Sequence, residues 1–218
     1  DYILRAQRLG WSVVVANPNV GEVAGVSIPG SECPHAHVRS LWKAYLEPCA
    51  ASRVLVVAHS YGAAATAHLL KTEASARERI AAIAFTDAWA HPPGSLLQEV
   101  MPDSTDASKS ESGSESFRAL GRIAGIVPMA FEPPPPEFAM RLAEVGRNFV
   151  ASSLPLGTPV AANRGGVPAV SSGHEKHPST THAATEKVFE FLTAGAEGAA
   201  GRSNEELCAR CRQMELKD

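Results

Sequence analysis

No run among the 218 residues approaches the roughly 18–20 apolar side chains that a membrane-crossing helix needs. The opening residues Asp1-Tyr2-Ile3-Leu4-Arg5 lack the basic start and apolar stretch of a secretory signal, so none is expected there. Positive charge is not in excess either. Twenty Lys and Arg against 23 Asp and Glu leave a net charge of -3, which gives no field to hold nucleic acid non-specifically. Direct nucleic-acid binding is therefore not expected, and a role on RNA or DNA would need a local patch or a partner. Cysteine is scarce: Cys33, Cys49, Cys208 and Cys211 are too few for a disulfide scaffold in a chain of this size. Cys208-Ala-Arg-Cys211 has redox or zinc spacing, but a zinc site wants a second pair nearby. Neither a cofactor nor a metal is expected, and no internal repeat is visible.

What is present reads as an ordinary globular chain, 44% hydrophobic and 20% charged, long enough for one domain with a sizeable core. Residues 2–9 read as a short helix closed by Gly10. Trp11 to Ala16 is expected to be a buried strand, ended by Asn17-Pro18-Asn19. Val38, Leu41, Trp42 and Tyr45 recur on one helical face, and Pro48 ends that helix. Val54-Leu55-Val56-Val57-Ala58 is an uninterrupted apolar run, the mark of a strand covered on both faces in a parallel sheet. A helix of small residues follows over 62–72. Ile80 to Phe85 and Val167 to Ser171 are further buried strands, with helices at 137–146 and 183–193. Strands alternating with helices predict an α/β fold with a mainly parallel sheet.

Two stretches break the pattern. Residues 103–116 are acidic and Ser-rich, cannot bury apolar area, and read as a disordered insertion. Pro133 to Pro136 is a polyproline piece, read as a stiff lead-in to the next helix. The expected organisation is one domain over 1–195 and a flexible tail over 196–218.

Chemistry concentrates around Ala58-His59-Ser60-Tyr61-Gly62. A hydrophobic strand, then x-Ser-x-Gly, then a small-residue helix is the nucleophile-elbow pattern. The positions two before and two after the serine must be small, and Ala58 and Gly62 are. Asp87 directly follows the strand 80–85, and His174 follows the strand near 167–171. Sites in open α/β sheets gather beyond the carboxyl ends of the strands, where Ser60, Asp87 and His174 all fall, in the chain order this kind of site uses. On this reading His174 takes the Ser60 proton and Asp87 orients the imidazole. Turn and cap roles for Ser60 and Asp87 are the alternative. His91 and His177 are alternative bases, and His59, Tyr61, Gly62 and His91 are expected around the pocket. His35-Ala-His37 reads as a cap or surface pair in preference to a metal site.

Six ordered blocks extend this motif: Val13 to Asn19; His37-Val38 with Trp42; Ala58 to Gly62; Ala84 to Asp87; Asn148 to Ser153 with Pro155 to Thr158; and Val170 to Glu175. Together they resemble the Arb-type domain. That family includes the argonaute-binding subunit of the fission-yeast siRNA chaperone complex, animal cotranscriptional regulators linked to Argonaute and alternative splicing, and a C-terminal domain of some fungal histone deacetylases. The resemblance implies an α/β-hydrolase-like fold, with the family's Ser, Asp and His falling on Ser60, Asp87 and His174. It implies an intracellular protein, nuclear or cytoplasmic, whose partners include Argonaute or chromatin-associated proteins. If the site is enzymatic, the substrate would be a small acyl compound. Relatives often have a second glycine where Ala63 stands. The family also has an upstream strand ending in a His-Gly loop that supplies an oxyanion N–H. Here the helix 2–9 comes first, so the sheet is expected to lack N-terminal strands and to have an open edge.

Overall fold

The computed structural model describes residues 2–88, 136–161 and 167–198. The acidic Ser-rich stretch 103–116, His91, Cys208, Cys211 and most of the proline run lie outside the described residues, as does the tail beyond 198.

Five strands form the main sheet. β3 (Val54–His59), β4 (Ile80–Thr86), β5 (Gly146–Val150) and β7 (Ala169–Ser171) are mutually parallel, and β6 (Pro159–Val160) closes the far side antiparallel to β7, in the order β3-β4-β5-β7-β6. A separate two-residue ribbon pairs β1 (Glu22–Val23) with β2 (Val26–Ser27). The architecture is α/β, with a mostly parallel sheet flanked by helices. Among the described residues no helix is long and apolar enough to cross a membrane.

Side-chain alternation along β4 explains why both faces are covered. Ile83 and Phe85 point to one face, where they meet Trp42, Ala63, Leu70, Leu142 and Val167. Trp42 lies in the helical turn 42–46 that continues α2 (Pro34–Leu41), Ala63 and Leu70 in α3 (Gly62–Thr72), Leu142 in α5 (Pro136–Val145) and Val167 just before β7, while α4 (Ala74–Arg79) packs against α3. Ala82 and Ala84 point to the other face, against Phe149, Val188 and Leu192. That face is covered by α7 (Thr185–Glu197), which follows the short α6 (Thr180–Ala183). Small β4 residues let α7 come close: a Cβ on Gly195 would lie 2.5 Å from Ala82 Cβ. The first helix, α1 (Tyr2–Arg8), docks on α7 through aromatic contacts. The Tyr2 and Trp11 rings lie 5.4 and 6.0 Å from that of Phe189, and Arg5 pairs with Glu186.

One expected strand is absent. Residues 11–17 carry no regular structure, and no backbone hydrogen bond joins Ser12–Ala16 to another described residue. Val13, Val14 and Val15 are 38%, 51% and 70% exposed. A strand needs a neighbouring ladder as well as an apolar sequence. β3 is an edge strand among the described residues, and its free edge is not paired by this segment. The same open edge leaves Val57 exposed, in a run that reads as covered on both faces. Conversely β5, Gly-Arg-Asn-Phe-Val, lacks a continuous apolar signal. It is a strand because it lies between β4 and β7.

Candidate active site

β3 runs straight into Ser60. Its φ of 52° places it in the left-handed region, which L-residues other than Asn, Asp and Gly seldom adopt. The chain must turn within one residue because α3 starts at Gly62. Two backbone bonds hold the turn: Ser60 N–H donates to the Thr86 carbonyl at 3.1 Å, and Ala63 N–H donates to the Ser60 carbonyl at 3.1 Å. Small neighbours are needed, as the motif implies. A Cβ on Gly62 would still clear the buried Ala58 Cβ at 3.7 Å. Ser60 is half-buried and its Oγ makes no hydrogen bond with a described residue. The positive end of α3 lies directly after it.

Asp87 ends the neighbouring strand in the same unusual conformation, with φ 54°. Its N–H is held by the Phe149 carbonyl at 2.8 Å, so the β4–β5 ladder fixes its backbone. The carboxylate is buried, and both oxygens are engaged. Oδ1 accepts Ala151 N–H at 3.1 Å, and Oδ2 lies 2.6 Å from His177 Nδ1.

This differs from the expected pairing with His174. His174 Nδ1 accepts the N–H of Lys176 at 3.0 Å, and its carbonyl accepts from Ser152 N–H and Ser172 Oγ. The physical consequence is electronic. An imidazole whose Nδ1 accepts a bond carries its neutral-state proton on Nε2, so its lone pair is already used. His177 is the reverse case: Nδ1–H donates to Asp87 and the Nε2 lone pair remains. The loop is shaped by Gly173, which takes φ 73°, and a Cβ there would meet Leu156 at 3.0 Å. It ends in a helical turn, His177–Ser179, with Pro178 in its first positions. Ser172 N–H on the Val150 carbonyl and Thr180 Oγ1 on the His177 carbonyl anchor its two ends.

His59 also belongs to this group. Its Nδ1 lies 2.9 Å from the Thr86 carbonyl oxygen, and its ring is 4.5 Å from that of His177 with a tilt of 31°. Thr86 Oγ1 and Thr181 Oγ1 are 2.8 Å apart, linking the end of β4 to α6 beneath the rings. Burial, then the nearby charge of His177, pushes the His59 pKa below the ordinary histidine value, against the opposing pull of the Thr86 carbonyl and Asp87.

Tyr61 and Gly62 form the start of α3, and Tyr61 lies 5.8 Å, ring to ring, from His35. His35 in turn sits 4.7 Å from His68, while His37 Nδ1 lies 2.8 Å from Ser31 Oγ. Among the described residues no group of three or more side chains could hold a metal ion. Sequence reasoning ranked His177 below His174 and missed Thr86 and Thr181 altogether. One usable signal was Pro178, which fixes a helical start and so pins His177 at a helix terminus.

Comparison with known proteins adds the lineage. Residues 2–96 match the family model described as the Arb2 domain. Over that stretch the chain is similar to Arb2 domains. A FAM172 family protein homolog of Caenorhabditis elegans is 39% identical over 102 residues, covering 46% of this chain and 32% of that protein. The human cotranscriptional regulator ARB2A is 25% identical over 169 residues, covering 75% of this chain and 31% of its own length. Its Mus musculus counterpart is 23% identical over 190 residues, covering 85% and 36%. The chain thus spans about a third of the length of these relatives. No solved structure matches it.

Proposed function

We propose that this Arb2-type chain carries a serine acyl-transfer site, with Ser60 as nucleophile, His177 as general base and Asp87 as the group that orients it. The observation that carries this reading is the 2.6 Å contact between the buried Asp87 carboxylate and His177 Nδ1, beside a serine in a strained strand-to-helix turn. Backbone strain of this kind persists where the surrounding structure over-determines it, and clusters at active sites. In the reaction Ser60 Oγ bonds to an acyl carbon as His177 Nε2 takes its proton. That proton passes to the leaving oxygen, sulfur or nitrogen as its bond to the acyl carbon breaks. Water, deprotonated by the same imidazole, then releases the acid and restores Ser60. The open Ser60 Oγ agrees with an unliganded site, since catalytic hydrogen bonds tighten when substrate binds. The substrate class is a small ester, thioester or amide.

A second reading comes from the relatives' names. Proteins that share this domain are called cotranscriptional regulators, and we infer a similar nuclear, protein-binding role for the protein that contains this chain. Argonaute or chromatin-associated proteins are the partners this reading brings with it. The two roles can coexist, because fold alone does not settle function.

The test is turnover of short-chain p-nitrophenyl esters, thioesters and anilides by the chain and by Ser60→Ala. Hydrolysis that vanishes in Ser60→Ala supports the acyl-transfer site. Equal background rates in both would remove it and leave the binding role.

A further inference from the structure

His59 has no part in the proton path above, yet it is built into the site. Its Nδ1 faces a carbonyl oxygen, Thr86 O, at 2.9 Å, and a carbonyl can only accept. Nδ1 therefore carries a proton and Nε2 keeps the lone pair when the ring is neutral. His177 is locked into the same tautomer by Asp87. Two imidazoles with anchored Nδ1 atoms thus lie against one another, tilted by 31°, with ring centroids 4.5 Å apart. Each can accept one proton, but two positive rings at this spacing repel strongly.

We propose that His59 is a positioning residue for His177: its ring, fixed on the Thr86 carbonyl, holds the His177 imidazole in place, and the two rings resist being positively charged together. This rests on the acyl-transfer reading for its functional meaning, though not for its physical content. The titratable groups facing His59 are His177, from the helical turn, and Asp87, from the end of β4. From α6 it meets the Thr181 hydroxyl at 3.2 Å, and Tyr2 of α1 lies one bond further away, donating to the Thr181 carbonyl at 2.6 Å. His177 is thereby the ring that takes the Ser60 proton while His59 stays neutral. A proton on His59 would block that transfer, because His177 would then have to become positive beside a positive neighbour.

Two variants separate the parts. His59→Phe keeps a ring against His177 but has no Nδ1–H and no charge. His59→Asn keeps a donor for the Thr86 carbonyl but has no ring. One readout is the side-chain nitrogen NMR titration of both histidines, which needs no activity. The His59 midpoint is expected below that of an ordinary histidine and should rise in His177→Asn. An unmoved midpoint would overturn the coupling. The other readout is the pH dependence of Ser60 labelling by a fluorophosphonate. In the wild-type chain the acid limb should steepen from about tenfold per pH unit towards about a hundredfold, because two protons must be absent. Both variants should keep a limb of about tenfold per unit, as one proton requires, and His59→Asn should label more slowly than His59→Phe at neutral pH. Acid limbs of the same shape in all three proteins would overturn the proposal. If Ser60 is never labelled, the acyl-transfer reading fails while the NMR titration still decides the claim about His59.

Discussion

Replacing His177 by Ala, with His174→Ala as its partner experiment, discriminates most sharply between the two histidines. In the structure Asp87 Oδ2 is 2.6 Å from His177 Nδ1, while His174 Nδ1 is occupied by the Lys176 N–H. A positioned general base contributes about 10²–10⁴ in rate, or about 3–5.5 kcal/mol at 1.36 kcal/mol per decade. His177→Ala should slow fluorophosphonate labelling of Ser60 by that order. It should also lower stability modestly. The Asp87 side chain is 8% exposed and would lose one partner, while His177 is itself 45% exposed and its contact is screened by water. Oδ1 keeps the Ala151 N–H, so a loss of about 1 kcal/mol is expected, the lower end of the cost of an unmet buried acceptor. His174→Ala should behave differently. It removes one loop hydrogen bond, worth about 0.5–1.5 kcal/mol, and should leave labelling within about tenfold, since loop displacement costs less than loss of the base. Labelling rates are read by time-course mass spectrometry, and folding by circular dichroism melts on the same samples. Slow labelling in His174→Ala, with normal labelling in His177→Ala, would refute the reasoning.

Other outcomes follow from packing and charge. Gly146→Ala should lose about 1–3 kcal/mol or more in denaturant melts, because its Cβ would lie 2.5 Å from the Leu142 carbonyl oxygen and 3.1 Å from Phe85; Gly62→Ala, with 3.7 Å of clearance to Ala58 Cβ, should fold nearly as the wild type does. Glu73 is buried between Lys43 at 2.6 Å and Arg39 at 2.6 Å, which hold its carboxyl below the usual carboxylate range. Its pKa is lower folded than unfolded, so its contribution is present above the unfolded value of about 4.3 and is lost as pH falls through the folded one. Stability measured from pH 7 down to pH 3 should therefore drop less steeply in Glu73→Gln than in the wild-type chain.

Much of the sheet was legible in the sequence because two of its strands are continuous apolar runs. β3 and β4 announce themselves this way, and the small-residue α3 follows from Ala63-Ala64-Ala65. Where the reading failed, partners decided the outcome. Trp11 to Ala16 has the composition of a strand but finds no ladder among the described residues. β5 has a weak pattern, with polar Arg147 and Asn148, but is held in place on both sides. The site was legible to the same extent. Ser60 and Asp87 are marked by the strands that end in them. The proposed base was not, because the loop after β7 carries two histidines three residues apart, and both follow a strand end. Only the direction of each ring's hydrogen bond separates them. His174 turns inward to brace its own loop, and His177 reaches the carboxylate.

The most direct measurement is the site of covalent modification in the folded chain. After brief exposure to a fluorophosphonate, peptide mapping by mass spectrometry should find one adduct, on Ser60, that disappears in Ser60→Ala and forms about 10⁴-fold more slowly in Asp87→Asn, the loss seen when the analogous aspartate is neutralised in a serine protease. An unmodified Ser60 in the folded protein, or labelling of Ser60 at the same rate in Asp87→Asn, would contradict the acyl-transfer site.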